Sequence, residues 1–250
     1  MSKTEVSIPT LDGDARAYAF KPQGQGPWPA VIFYMDAPAI RPTLFEMCER
    51  LAGRGYYVLL PDMFWRVGPY EPINLAEAFA SEETRRAVFG KFMSSTNPEK
   101  STRDTGAFLA WMDAQPDANT DRVGATGYCM GAGLALRAAG NYPDKIAAAA
   151  GFHGGRLATD EPDSPHLLAP KIKAKVYIGG ADADAGFPPE QADRLRDALT
   201  AAGVDNRVEL YPGAHHGYTM PDLPAYNESA AERHWRELFA LLDETLNQPG

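Results

Sequence analysis

The sequence predicts an α/β fold, in which a largely parallel central sheet carries helices on both faces. Apolar runs of strand length alternate with segments of helical periodicity through most of the 250 residues. The apolar runs are nearly continuous, as expected for strands that are buried on both faces. No internal repeat and no linker divides the chain, so we expect one domain over residues 1–250.

The strands can be placed in chain order. The first two are expected to form a hairpin, because Asp12-Gly13 lies between the alternating segments 5–8 and 15–20. Residues 21–29 are rich in Pro, Gly and Gln and predict a surface loop. The later strands are predicted at the apolar runs 30–35, 56–60, 122–126, 146–151, 175–178 and 207–211.

Helices are predicted where apolar residues recur at helical spacing. The helices over 43–54 and 188–203 each end at glycine, which is favoured just after a helix. The other predicted helices span 98–112, 132–139 and 228–246. Residues 63–98 mix aromatic residues with Pro, Arg and Glu and are expected to hold one or two helices. Residues 156–170 are expected to form a loop.

Composition excludes several classes of function. The net charge of −9 argues against nucleic acid or an anionic membrane as a partner, since phosphate binding needs clustered Lys and Arg. Two cysteines, Cys48 and Cys129, provide neither a disulfide framework nor a cysteine-only zinc site. The chain starts without an apolar signal segment, and no window reaches the ~18 apolar residues of a membrane span. We therefore expect a cytoplasmic protein, of unknown oligomeric state, that needs neither a metal nor an organic cofactor.

The segment Gly127-Tyr128-Cys129-Met130-Gly131 is the strongest local motif. It follows a predicted strand and precedes a predicted helix, the order that a nucleophile elbow requires. The two glycines leave room for a tight turn and for close packing of helix against strand. A free cysteine on its own is more often a small core residue, but its position at a helix N-terminus favours the thiolate. Cys129 is therefore the candidate nucleophile.

Other polar residues also follow predicted strands. In an open α/β sheet the ligand site lies beyond the carboxyl ends of the strands, so these residues can converge. They are Asp36, Cys129, His153, Asp184 and His216. His153 is expected to be structural rather than catalytic.

The candidate base is His216 and its candidate partner is Asp184. His215 is the alternative base, but Gly217 beside His216 allows the loop to close over a site. Asp182 is the alternative acid. Asp184 is preferred because it lies four residues before Pro188, where a short loop enters the next helix. The chain order of nucleophile, acid and base is that of an α/β-hydrolase triad.

With these residues in place, the chain resembles the dienelactone hydrolase family of α/β-hydrolases over nearly its full length. The matching segments are 127–131, 55–62, the spacing from 184 to 188, and 211–214 leading into 216–218. The resemblance implies an α/β-hydrolase fold with Cys129 as nucleophile, His216 as base and Asp184 as its orienting acid. It also implies an oxyanion hole made by the backbone N–H groups of Ala37 and Met130.

Two positions depart from the family pattern. The family usually carries Glu where this chain has Asp36, and that Glu holds the resting thiol. Asp36 is thus a candidate resting-state partner of the thiol, although its side chain is one methylene shorter. Relatives that act on dienelactone carboxylates also place an Arg shortly after the catalytic His, and none follows His216 here. Arg66, Arg85 and Arg86 are the candidates that could supply such a charge.

The sequence therefore predicts an enzyme that cleaves an ester or lactone of a small molecule through an acyl-enzyme. A thiolate suits an activated ester such as an enol lactone, whose leaving group departs easily. The alternatives are a thioesterase, a broad carboxylesterase, and a non-catalytic protein that binds a small molecule. A redox-sensing thiol is a further hypothesis for Cys129.

Overall fold

The protein is described by a computed structural model that covers residues 1–78 and 80–247. The strands are β1 (Ser2–Thr10), β2 (Gly13–Lys21), β3 (Trp28–Tyr34), β4 (Tyr57–Pro61), β5 (Ala118–Tyr128), β6 (Ile146–Phe152), β7 (Lys175–Ala181) and β8 (Asn206–Tyr211). The α-helices are α1 (Pro42–Gly53), α2 (Leu75–Ala78), α3 (Glu82–Met93), α4 (Pro98–Asp113), α5 (Met130–Asn141), α6 (Pro189–Ala201) and α7 (Glu228–Leu246). Short 3-10 helices lie at Trp65–Val67 and Pro165–Lys171.

The strands of the described chain form one sheet in the order β1-β2-β4-β3-β5-β6-β7-β8. β1 pairs with β2 and β2 with β4 in antiparallel fashion, and every later pairing is parallel. The predicted α/β class with a largely parallel sheet is therefore confirmed. Parallel strands need crossover connections, which here are helices that cover both faces. No helix in the described residues is both long and apolar enough to cross a membrane.

The predicted hairpin at the start of the chain is present. β1 and β2 pair in register from Ser2 with Lys21 to Thr10 with Gly13. The hydroxyl of Thr10 donates to the carbonyl of Gly13, 2.6 Å away, and closes the turn. Gly13 has a φ of 136°, which a residue with a Cβ rarely adopts.

The core lies around the central strands. Residues 30–34 of β3 and all of β4 are buried, which explains why these runs are apolar without alternation. α1 contributes Leu44, Cys48 and Leu51 to the same core, at helical spacing. The predicted continuous runs therefore correspond to strands that are covered on both faces.

Two regions differ from the sequence-based expectation. β5 begins at Ala118 rather than at 122, because its first residues pair with Trp28 and Pro29 at the start of β3. The end of the loop expected over 156–170 is a 3-10 helix, Pro165–Lys171. Proline is favoured at the first position of such a turn because its fixed φ suits the helix and its missing N–H costs nothing there. Pro170 then limits the helix to a short segment.

Candidate active site

The motif around Cys129 is a sharp turn between β5 and α5. Cys129 has φ 55° and ψ −116°, a strained conformation for a residue other than glycine, and such strain is concentrated at functional sites. Its N–H donates to the carbonyl of Phe152 in β6, 3.1 Å away, which fixes the turn against the sheet. A Cβ at position 127 would overlap the backbone of Gly131, so the turn requires glycine there.

His216 and Asp184 meet at the same edge of the sheet. Asp184 follows β7 and His216 follows β8, and Nδ1 of His216 lies 2.6 Å from Oδ2 of Asp184. The other carboxylate oxygen of Asp184 accepts from the N–H of Gly186 at 2.8 Å. Burial would raise the pKa of Asp184, but the hydrogen bonds from His216 and Gly186 lower it overall. The carboxylate is therefore held ionised with one oxygen on the imidazole ring.

The thiol of Cys129 interacts with the ring of His216. With Nδ1 engaged by Asp184, the ring nitrogen left for the thiol is Nε2. Burial would lower the pKa of His216, but Asp184 and Cys129 together raise it to about 10. An imidazolium of this kind stabilises a thiolate beside it, which is the reactive form of cysteine.

The structure also separates the residues that the sequence left as alternatives. Asp182 accepts a hydrogen bond from the N–H of Gly213 at 2.9 Å, whereas Asp184 bonds to His216. The ring that contacts Asp184 is that of His216 and not that of His215. The geometry thus favours Asp184 and His216 as the pair that faces Cys129.

Two backbone N–H groups lie beside the thiol without a protein acceptor. Within residues 1–78 and 80–247, neither Ala37 nor Met130 donates a hydrogen bond from its backbone nitrogen to another residue. Met130 is the first residue of α5, where N–H groups have no partner inside the helix and carry a partial positive charge. Ala37 follows β3 and lines the same cavity as Cys129. Both N–H groups can therefore donate hydrogen bonds to an oxygen on which negative charge develops at this place.

A cavity of about 390 Å³ opens over these groups. Its walls are mostly apolar and carry a few polar and charged side chains, as is typical of small-molecule sites. The lining residues are Asp36, Ala37, Pro38, Arg85, Phe89, Cys129, His153, His216, Gly217, Leu223, Pro224 and Ala225. In the described residues no cluster of three or more His, Cys, Asp and Glu side chains is arranged to hold a metal ion.

The model of the dienelactone hydrolase family matches residues 15–246 of the chain. The chain belongs to the dienelactone hydrolase family. The resemblance drawn from the motifs is therefore confirmed, and the protein is a hydrolase of the α/β-hydrolase type. The match covers every strand from β3 to β8 and the loops that carry Cys129, Asp184 and His216.

Individual relatives agree with this assignment. A protein of Methylorubrum extorquens strain AM1, named as a candidate carboxymethylenebutenolidase, is 29% identical over 238 residues, 94% of this chain and 78% of the relative. The carboxymethylenebutenolidase of Pseudomonas putida is 26% identical over 227 residues, 90% of each chain. The crystal structure of a candidate dienelactone hydrolase from Klebsiella pneumoniae superposes with a TM-score of 0.84, at 24% identity, over 97% of this chain and 98% of that one. The last comparison supports the fold.

Asp36 lies in the position where the dienelactone hydrolase family usually carries Glu, and its carboxylate faces Arg41. Oδ1 and Oδ2 of Asp36 accept from the two Nη atoms of Arg41, at 2.5 and 2.9 Å. Among the described residues Asp36 forms no hydrogen bond with Cys129, although both line the cavity. Contact with the thiol would require this bidentate pair to open, so a resting-state role for Asp36 stays a prediction.

Arg41 is the site residue that the sequence did not reveal. It has no recognisable motif, and its only sequence signal is its position five residues after Asp36. Its Nε and Nη2 also bond to Asp222, which lies six residues after His216. Burial would lower the pKa of Arg41, but the paired carboxylates hold it above its ordinary value. Arg41 is thus a permanently charged group behind the cavity wall.

The three arginines considered for substrate charge differ in the structure. Arg66 is engaged by Asp12 and Asp104 and lies away from the cavity. Arg86 pairs with Glu82 on the exposed face of α3. Arg85 lines the cavity, and in the described part of the chain no carboxylate lies within ion-pair distance of it. Of the three, only Arg85 is placed to meet a ligand.

His153 lies in the wall of the cavity and is buried. Its Nε2 is 2.7 Å from the hydroxyl oxygen of Thr219, and its ring packs edge-on against that of His216, with centroids 5.3 Å apart. Burial and the neighbouring His216 lower the pKa of His153 well below its ordinary value. A ring that stays neutral in this way supports the packing of His216, which fits the expected structural role.

Proposed function

We propose that the protein hydrolyses a carboxylic ester or lactone through Cys129, His216 and Asp184, by way of an acyl-enzyme. The observation that carries the proposal is that Asp184 contacts His216 and His216 contacts Cys129 at one edge of the sheet. Backbone N–H groups without a protein acceptor lie next to these residues. The family relatives named carboxymethylenebutenolidase support a lactone or ester as the substrate class.

In the first half-reaction the thiolate of Cys129 attacks the carbonyl carbon of the substrate. The carbonyl oxygen becomes negative and accepts hydrogen bonds from the N–H groups of Ala37 and Met130. The tetrahedral intermediate then collapses, the carbon–oxygen bond to the leaving group breaks, and the imidazolium of His216 donates its proton to the departing oxygen. A thioester on Cys129 results.

In the second half-reaction water attacks the thioester. His216, now neutral, accepts a proton from the water, and Asp184 stabilises the imidazolium that forms. The same two N–H groups hold the second oxyanion. Breakage of the carbon–sulfur bond releases the acid and restores the thiolate–imidazolium pair.

The cavity indicates the kind of substrate. Leu223, Pro224, Ala225 and Pro38 offer an apolar surface, and the volume of about 390 Å³ suits a small molecule rather than a polymer. Arg85 is the only Arg or Lys among the lining residues of the described chain, so a carboxylate on the substrate would lie on that side.

Cys129→Ala tests the proposal. The variant should keep the circular dichroism spectrum of the wild type and lose hydrolysis of p-nitrophenyl acetate and of a small lactone. Mass spectrometry of the wild type during turnover should find an acetyl group on the peptide that contains Cys129. Cys48→Ser is the matched control, because Cys48 is buried in α1 and makes no contact with the cavity. Retained turnover in Cys129→Ala, or acetylation that maps to Cys48, would contradict the proposed mechanism.

A further inference from the structure

Arg41 joins two loops that both contribute to the cavity wall. One loop follows β3 and contains Asp36 and Ala39, and the other follows His216 and contains Asp222. Besides its two bonds to Asp36, Arg41 donates from Nη1 to the carbonyl of Ala39 (3.2 Å), from Nε to Oδ2 of Asp222 (2.6 Å) and from Nη2 to Oδ1 of Asp222 (3.2 Å). A guanidinium has five N–H groups, so every donor of Arg41 is used within these two loops.

The contact is buried. The side chains of Asp36 and Arg41 are 1% and 4% exposed, and that of Asp222 is 27% exposed. Bidentate pairs of arginine and carboxylate fix the mutual orientation of their partners as well as attracting them. Because every donor of Arg41 is occupied, it is not available to bind a substrate carboxylate.

Each loop contributes further residues to the lining of the cavity. The first presents Ala37 and Pro38, and the backbone N–H of Ala37 is one of the two proposed oxyanion donors. The second presents the stretch 223–225, directly after Asp222. A shift of one loop relative to the other would therefore displace the oxyanion donor from the apolar wall that seats the substrate.

The first loop is strained and depends on this contact. Ala39 has a φ of 65°, which is unfavourable for a residue with a Cβ. Its N–H donates to the carbonyl of Asp36 (3.2 Å) and its own carbonyl accepts from Arg41. Arg41 thus stabilises the turn that orients the N–H of Ala37.

We propose that Arg41 is a positioning residue, which fixes the loop of Ala37 against the loop of Asp222 and so keeps the oxyanion donor in place. The inference rests on the proposed ester hydrolysis, but it concerns a contact that lies outside the triad. It also gives Asp36 a structural role that requires no contact with the thiol. The carboxylate of Asp36 binds Arg41 and so holds Arg41 to the first loop.

Asp222→Ala is the principal test, because it cuts the link between the loops and leaves the buried pair of Asp36 and Arg41 intact. Arg41→Lys is the second variant, since it keeps the charge but cannot form two bidentate pairs. Both should fold, as judged by circular dichroism. We expect kcat for p-nitrophenyl acetate to fall by about 10-fold to 10²-fold, since loss of one oxyanion donor costs about 10²–10³ in kcat. KM should change by less than about twofold, because the apolar contacts remain.

Alkylation of Cys129 by iodoacetamide separates positioning from general damage. Alkylation needs the thiolate and its imidazolium but no oxyanion hole, so its rate should stay within about twofold of the wild type in both variants. Glu232→Ala is the matched control. Glu232 forms a bidentate pair with Arg50, with both distances 2.8 Å, at the surface and away from the cavity. Its loss should leave both rates unchanged.

The outcomes distinguish this inference from the proposed function. An unchanged kcat in Asp222→Ala and Arg41→Lys would overturn the positioning role while leaving the triad mechanism intact. A parallel loss of hydrolysis and alkylation would also overturn it, because it would show that the contact supports the whole site. Failure of the proposed function appears elsewhere, as turnover that survives Cys129→Ala.

Discussion

Gly131 in the first turn of α5 packs directly against the backbone at the end of β3. A Cβ at position 131 would overlap the carbonyl oxygen of Tyr34 and lie 2.7 Å from that of Met35. Carbonyl groups in a central strand cannot give way as a flexible side chain can. We therefore expect Gly131→Ala to push the elbow away from the sheet and to lower the free energy of unfolding by about 1–3 kcal/mol.

Urea denaturation of Gly131→Ala measures this cost, and turnover of p-nitrophenyl acetate measures the displacement of Cys129. Gly90→Ala is the control, because a Cβ at position 90 in α3 would meet nothing within 4 Å. That change should be neutral or should stabilise the protein slightly, since alanine is preferred to glycine in a helix by about 0.5–1 kcal/mol. Equal effects of the two substitutions would show that the elbow does not need the close approach.

The proton on His216 depends on Asp184. The pKa of His216 is raised to about 10, so the ring should stay protonated through neutral pH and lose its proton only as the pH approaches that value. Asp184→Asn removes the carboxylate, and the pKa should then fall toward the ordinary 6.5. Titration of the histidine ring signals by nuclear magnetic resonance follows both proteins directly.

Asp182→Asn is the control for this titration, since Asp182 bonds to the N–H of Gly213 rather than to His216. It should leave the midpoint of His216 unchanged. A wild-type His216 that titrates near 6.5 would contradict the ion-pair state of the site. A midpoint of His216 that does not change in Asp184→Asn would contradict the proposed role of Asp184.

The sequence predicted the sheet, and it predicted that Cys129, Asp184 and His216 follow strands of that sheet, because both predictions rest on local signals. Continuous apolar runs indicate buried parallel strands, and residues just after such strands meet at one edge whatever the details of packing. Arg41 had no such signal. Its contacts join positions 36 and 222, and a pairing over that distance depends on how two loops fold back, which no periodicity records. The contact of Asp36 with Arg41 is local in sequence, but it depends on the conformation of the loop after β3, which no periodic pattern indicates.

Arg85 should distinguish substrates by charge. It lines the cavity from α3, and no carboxylate of the described chain is within ion-pair distance of it. We expect Arg85→Gln to raise KM for an aryl ester that carries a carboxylate by about fivefold, equivalent to about 1 kcal/mol, and to leave a neutral aryl ester unaffected. Steady-state kinetics with the two esters at low ionic strength make the comparison.

Arg86→Gln is the matched control for Arg85, one residue along the same helix. Arg86 pairs with Glu82 on the exposed side and does not line the cavity. Its loss should leave KM for both esters unchanged. An equal rise in KM for charged and neutral esters in Arg85→Gln would indicate a change in cavity shape rather than recognition of charge.

His234 should make stability depend on pH in a definite direction. It is fully buried in α7, where its Nδ1 donates to the carbonyl of Ala231 (2.7 Å) and its Nε2 accepts from the hydroxyl of Tyr128 (2.9 Å). Burial lowers the pKa of His234 to about 3. In the unfolded chain the pKa of this histidine is about 6.5. Below about pH 6.5 the unfolded state therefore binds a proton at His234 and the folded state does not. The free energy of unfolding should therefore fall as the pH drops from about 6.5, by up to about 1.4 kcal/mol per pH unit for this one proton.

Urea denaturation between about pH 7.5 and about pH 5, a range in which most carboxylates stay ionised, measures this contribution. His234→Gln keeps an acceptor for Tyr128 but has no proton to gain, so its stability should fall less steeply with decreasing pH than that of the wild type. His153 contributes a slope of the same sign, because its pKa is also lowered, and this remainder should persist in the variant. Identical slopes in the two proteins would show that His234 is protonated in the folded state.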